Sequence, residues 1–148
     1  MGGRVILAAG GVVFRKKKRP EIAVVQLRKY PHWVLPKGKL KRNEKPRSAA
    51  KREVVEETGH KVSVQEFLGA IAYESSGRSK VVQFWRMKAD GDAIRGPASD
   101  IREVRWLSVK KALATLSLPR EQIFLRHALA PGGGAKKRTR RKRLRNGH

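Results

Sequence analysis

A helix-length segment, Pro46–Thr58, constrains this chain more than any other feature. Proline suits the first helical position and Gly59 suits the residue just past the end, so both ends of the segment are marked. Within it Glu53, Glu56 and Glu57 fall at i, i+3 and i+4, and at ~100° per residue they share about a 100° arc of one face. Ala49 and Ala50 lie one turn earlier, and Val54 flanks the arc. Small side chains there let the helix lie close against a sheet and hold its carboxylates near the core. Three like charges on one face repel, and the adjacent Arg52 gives only partial relief. Two readings compete: a solvated acidic face, or a site for a divalent cation with hard oxygen ligands. Mg2+ or Mn2+ fits the second, because the chain has no cysteine and this face has no histidine.

The acidic cluster stands out because acids are scarce. Lys and Arg number 36 against 12 Asp and Glu, a formal charge of +24. A field of that sign favours phosphates, nucleic acid or an acidic membrane face. Part of it is concentrated late in the chain. Ala130-Pro131-Gly132-Gly133-Gly134 breaks any regular structure, and eight of the ten residues Lys136–Arg145 are basic. The expected organisation is one domain over residues 1–130 and a basic, disordered tail over 131–148. With those eight charges set aside, the body still carries +16 of the +24. The tail is a candidate nucleic-acid contact.

At 148 residues a single domain is expected, not a multidomain machine. The missing cysteines exclude disulfides and thiolate metal sites. No run approaches the ~18–20 apolar residues of a membrane span. The N-terminal MGGRVILAAGGVVF lacks the charged and long apolar regions of a secretory leader, so a cytoplasmic location is expected. Oligomeric state is not legible.

Strands are expected at Val5–Phe14, Ile22–Leu27, Trp33–Leu35, Val62–Phe67, Leu68–Tyr73, Lys80–Ala89 and Arg102–Leu107. Pro36–Lys45, without apolar periodicity, and Asp90–Asp100 read as loops, and Ser75–Ser79 as a turn. Ser108 caps a short helix, Val109–Leu116, and Glu121–Leu129 forms a last one. Strands with helices in loose alternation indicate an α+β layered domain.

Reading outward from the helix gives Gly38, five residues, Glu44, seven residues, then Arg52-Glu53-Val54-Val55-Glu56-Glu57-Thr58-Gly59. This resembles the Nudix box at all seven of its fixed polar and glycine positions. Two neighbours depart from it. His60 stands where the family prefers an apolar residue, which leaves the packing to Val62, and Asn43 stands where many members have glycine. Asn tolerates the left-handed backbone such a loop needs. The approach Trp33-Val34-Leu35-Pro36-Lys37-Gly38-Lys39 is similar to that of MutT-like and dinucleoside-polyphosphate or diphosphoinositol-polyphosphate hydrolases. Glu103-Val104-Arg105-Trp106-Leu107 looks like their last strand. The resemblance spans residues 3–129 and implies the Nudix fold, a mixed β-sheet sandwiched between helices.

It also implies a pyrophosphohydrolase acting on a nucleoside diphosphate linked to a further group, with Mg2+ (or Mn2+) as cofactor. Glu53, Glu56 and Glu57 are the implied metal ligands. Glu53 is the candidate for orienting or deprotonating the attacking water, with Arg52 fixing a glutamate rotamer and Glu57 in the catalytic set. Glu103 is a lesser candidate base, and a surface strand charge otherwise. Glu44 precedes the helix, where an anion meets the positive dipole end, and is assigned a loop role first and a metal role second. Lys37, Gly38 and Lys39 are the candidate substrate-phosphate contacts. Trp33 is either a base-stacking platform or a packing anchor. Phe84 and Trp85 face opposite sides, one toward the core and one toward a cleft. His32, His127 and His148 show no metal spacing. Residues 74–80 and 90–100 are the candidate specificity loops.

Three functions compete on this basis: hydrolysis of a nucleoside triphosphate or dinucleoside polyphosphate, removal of pyrophosphate from an RNA 5′ end, and non-catalytic nucleotide binding. The intact glutamates and Arg52 argue against the third.

Overall fold

A computed structural model describes residues 4–130. The expected tail, 131–148, and His148 lie outside the described residues. The chain runs β1 (Ile6–Arg15), β2 (Glu21–Leu27), β3 (Trp33–Val34), β4 (Lys37–Lys39), α1 (Pro46–Thr58), β5 (Val62–Ser75), β6 (Arg78–Ala89), β7 (Ile101–Ser108), α2 (Val109–Thr115) and α3 (Pro119–Leu129).

The sheet order is β3-β2-β1-β6-β5, with β4 also paired to β1 and β7 to β2. β1 and β6 run parallel, while the β1–β2, β1–β4, β2–β3, β2–β7 and β5–β6 pairs are antiparallel, so the sheet is mixed. Side chains alternate across β1. Ala9 and Val13 pack with Ala49, Ala50 and Val54 of α1 and with Met87. Ala8 and Val12 face the other way, into a core with Phe84, Ala112, Leu116 and Leu125 beneath α2 and α3. The sheet is thus covered by α1 on one face and by α2 and α3 on the other, as expected of the sandwich. Burying Phe84 completely stabilises the second core by roughly 1.5–3 kcal/mol.

The glycine pair in β1 has a steric cause. A Cβ on Gly11 would crowd Met87 and Val54, and one on Gly10 would overlap the Pro36 carbonyl and Lys37. Both close approaches bring α1 and the β3–β4 turn onto the strand.

Three expectations are corrected. The loop expected over Pro36–Lys45 contains β4, which pairs Lys37, Gly38 and Lys39 with Gly10, Ala9 and Ala8. A Lys-Gly-Lys strand shows no alternation because backbone pairing holds it in place. The two strands expected over Val62–Tyr73 form one strand, β5, whose register shifts between Val64 and Phe67 and again before Gly69. Such bulges break the period that marks a strand. The turn expected over Ser75–Ser79 tightens to Ser76-Gly77, with φ of 53° and 74°. Two left-handed residues match the twist of the flanking strands.

Phe84 and Trp85 do face opposite sides. Trp85 meets the edge of Phe67 with centroids 5.0 Å apart. Trp33 packs against the α2/α3 core, the anchor reading, with the Arg105 guanidinium 4.5 Å above its ring.

Candidate active site

The site forms where β4 passes under α1. Lys45 precedes Pro46, the first residue of α1, and Gly59 ends it at φ 75° with its N–H donating to Val55 O at 2.9 Å. Asn43 adopts φ 61°, the left-handed conformation expected of it. His60 is buried, edge-on to Trp106 with centroids 5.1 Å apart, so it packs at the position where an apolar residue was expected. Val62 is buried in the α1 core as well.

Arg52 organises the acids beside it. Its Nε and Nη2 donate to the two oxygens of Glu44, each at 2.8 Å. Nη1 donates to Glu53 Oε2 at 3.0 Å and makes longer contacts to Glu56, at 3.4 and 3.5 Å. Nη2 also reaches Lys39 O at 3.1 Å, which ties the fork to β4. Glu44 Oε1 accepts in addition from Lys41 N. The Arg52 bonds, supported by Lys41, hold the Glu44 carboxyl down at about 2. Glu44 therefore closes the loop before the helix.

Glu53 and Glu57 belong to a different environment. Glu53 lies against β4 so tightly that a Cβ on Gly38 would fall inside its carboxylate. Glu57 is 8% exposed and accepts from Lys37 N at 3.1 Å through Oε1. Burial raises the Glu53 carboxyl, with Arg52 opposing it. Burial also pushes Glu57 up to about 8 against the Lys37 N–H bond. Asp100 adds negative field at both glutamates. Its backbone carbonyl accepts from Arg28 N at 2.9 Å, which fixes the end of the 90–100 loop. The sequence marks that loop but gives Asp100 no signal as a site residue, because it lies 42 residues beyond the end of α1.

The predicted residues are thus only partly convergent. Arg52 gathers Glu44, Glu53 and Glu56, while Glu57 turns to β4 beside Glu53. Among the described residues no three acidic or imidazole side chains form a ready-made cage. The donor set nevertheless fits a hard divalent cation. Glu53 and Glu57 both lie against β4, where burial disfavours their ionised form, and a nearby cation offsets that penalty. Lys37 differs from expectation. Its Nζ donates to Glu121 Oε2 at 2.6 Å and to Leu35 O at 3.1 Å, leaving one of three ammonium protons for a phosphate. Lys39 is exposed. Glu103 is half-buried as a residue but its side chain is 44% exposed and paired to Arg105 at 2.9 Å, the surface-charge reading. His32 and His127 lie on the surface.

Comparisons with known proteins bear on the family and the fold. The chain is 33% identical over 131 residues to the 8-oxo-(d)GTP phosphatase of Mycolicibacterium smegmatis, an alignment covering 82% of this chain. It spans only 40% of that protein's length. The Caenorhabditis elegans Ap4A hydrolase in a binary complex superposes with a TM-score of 0.73 at 26% identity, over 82% of this chain and 93% of that one. The MutT protein from Methanosarcina mazei shares the fold, with a TM-score of 0.72 at 21% identity over 84% and 92% of the two chains. The NUDIX domain model matches residues 5–128, and the chain belongs to the NUDIX domain family.

Proposed function

We propose that this chain is a pyrophosphohydrolase that cleaves a diphosphate linkage in a nucleoside triphosphate or a dinucleoside polyphosphate. The supporting observation is the half-buried Glu53 and the buried Glu57, both set against β4, beside an arginine-held acidic cluster. Glu53, Glu56 and Glu57 would hold Mg2+, with Mn2+ as the alternative. Such an ion neutralises charge on phosphate oxygens and acidifies bound water. Glu53 orients the attacking water and accepts its proton, and Arg52 fixes the Glu53 rotamer. The Lys37 N–H positions Glu57, and Gly38 leaves room for the Glu53 carboxylate. Lys39 and the remaining ammonium proton of Lys37 contact substrate phosphates. A cytoplasmic setting follows from the nucleotide substrates proposed. No helix of the described residues is long and apolar enough to cross a membrane. The test is a panel of nucleoside triphosphates and dinucleoside polyphosphates, with Mg2+ and with Mn2+ and products identified by mass. Cleavage of a phosphoanhydride in at least one class is expected, and no product from any would overturn the reading.

One observation favours a second substrate, an RNA 5′ end. At the β1–β2 hairpin, Arg15, Lys16 and Lys17 share a shallow 230 Å³ cavity with Arg86 and Lys88. Arg86 is stacked 4.0 Å from the Phe14 centroid, an ordered cation for a strand to meet. Lys136–Arg145, outside the described residues, would extend that contact. Turnover of a triphosphorylated RNA that falls steeply with salt supports this substrate. Small-nucleotide turnover unaffected by salt, with RNA uncut, removes it.

A further inference from the structure

A second concave surface adjoins the carboxylates on the outer flank of α1. It encloses about 400 Å³ between the helix and the loop that carries Arg95, and its lining includes Arg47, Lys51, Arg52, Val55, Glu56 and Arg95. The loop is held in place by its backbone. Ile94 N donates to Gly59 O at 2.7 Å and Ala98 N to Glu56 O at 2.9 Å. A Cβ on Gly59 would overlap the Arg95 carbonyl, so glycine there lets the loop close onto the helix end. Arg95 thereby lines the same groove as Lys51.

The charges in this groove do not balance. Arg52 is committed to Glu44, Glu53 and Glu56. Glu56 is the one acid of the lining, and Arg52 already offsets it. Lys51 and Arg95 enter no ion pair among the described residues, and Arg47 donates to a backbone oxygen, Val64 O at 3.3 Å. Three cations therefore share a concavity with no opposing charge of their own, which focuses positive potential there. The room corresponds to on the order of ten water volumes, enough for more than one phosphate. Glu56 lines this groove and is also one of the carboxylates that Arg52 gathers, so the groove adjoins the cluster.

We propose that this groove is a phosphate-chain subsite: Lys51 and Arg95, assisted by Arg47, bind the phosphates that lie beyond the cleaved linkage and so select substrates with long polyphosphate chains. The proposal rests on the pyrophosphohydrolase reading given above and names its substrate class. A flexible ammonium and two planar guanidiniums suit successive phosphates of a chain better than a single fixed anion. A nucleoside diphosphate sugar would leave the groove empty, while a dinucleoside tetraphosphate would fill it.

The test uses the full chain and the variants Lys51→Glu, Arg95→Glu and the double variant, all at exposed positions. First, inorganic tripolyphosphate is titrated by calorimetry without divalent cation. Binding to the native chain that weakens at least tenfold in the double variant is expected. No binding, or equal binding by both proteins, overturns the subsite whether or not the protein proves catalytic. Second, kcat/KM is compared for dinucleoside diphosphates and tetraphosphates. The expected result is a tenfold or larger loss confined to the tetraphosphate and carried by KM. A loss equal for both chain lengths would also overturn it. A native protein that binds tripolyphosphate yet hydrolyses nothing would defeat the pyrophosphohydrolase reading and leave the subsite standing.

Discussion

Lys37 Nζ and Glu121 Oε2 lie 2.6 Å apart, joining the first residue of β4 to the first turn of α3. Glu121 is 2% exposed, and its Oε1 accepts from Leu35 N at 2.8 Å. One carboxylate thus grips the turn at two points, and the far side of that turn presents Lys37 N to Glu57. Glu121→Ala strands the buried Leu35 N–H and removes the partner of the half-buried Lys37 ammonium, so a loss of about 1–3 kcal/mol is expected. Glu121→Gln should lose less, because its amide oxygen still accepts from Leu35 N. Urea midpoints of the two variants check this, and midpoints equal to the native value would show that the pair does not hold the turn.

Gly38 has no side chain because the Glu53 carboxylate occupies that space. Gly38→Ala must push Glu53 off its position. A displacement of ~1 Å in a catalytic group costs about 10²-fold in rate. We expect kcat to fall on that order, with a melting temperature close to the native one because the methyl displaces a side chain and not the β-pairing. Unchanged turnover in Gly38→Ala would mean that the seat of Glu53 on β4 is irrelevant to the chemistry.

The site should also impose opposite pH dependences on stability. Burial pushes Glu57 up to about 8 from an ordinary 4.5. Between those values the folded chain keeps a proton that the unfolded chain has released. Without divalent cation, stability should therefore decline as pH rises from about 4.5 to about 8. Glu57→Gln should flatten that decline. Glu44 acts in the other sense: its bonds to Arg52 and Lys41 hold it at about 2, below an ordinary 4.5. Its contribution is present above about 4.5 and lost as pH falls toward 2. Denaturation curves in chelator across this range read both slopes, and a native profile identical to that of Glu57→Gln would contradict the first.

The parts that could be read from the sequence were those with local punctuation. Pro46, Gly59 and the inward set Ala49, Ala50 and Val54 delimit α1 and orient it, and the spacing of Arg52, Glu53, Glu56 and Glu57 follows from the helix alone. β4 was not legible, because Lys-Gly-Lys has no hydrophobic period and is held by pairing to Ala8–Gly10. The continuity of β5 was hidden by its own bulges. Lys37 looked like a free phosphate ligand because its partner, Glu121, is 84 residues away and begins an otherwise ordinary helix. Asp100 escaped for the same reason: only the folded loop brings its charge to Glu53 and Glu57. Contacts between distant segments leave no pattern in either segment.

In the function proposed, the carboxylates of α1 hold a divalent cation. Calorimetric titration of Mn2+ into the native chain, Glu53→Gln and Glu57→Gln tests it most directly. Saturable binding by the native chain, weakened at least tenfold in each variant, is expected. No binding by the native chain, or the same affinity in all three proteins, would contradict it.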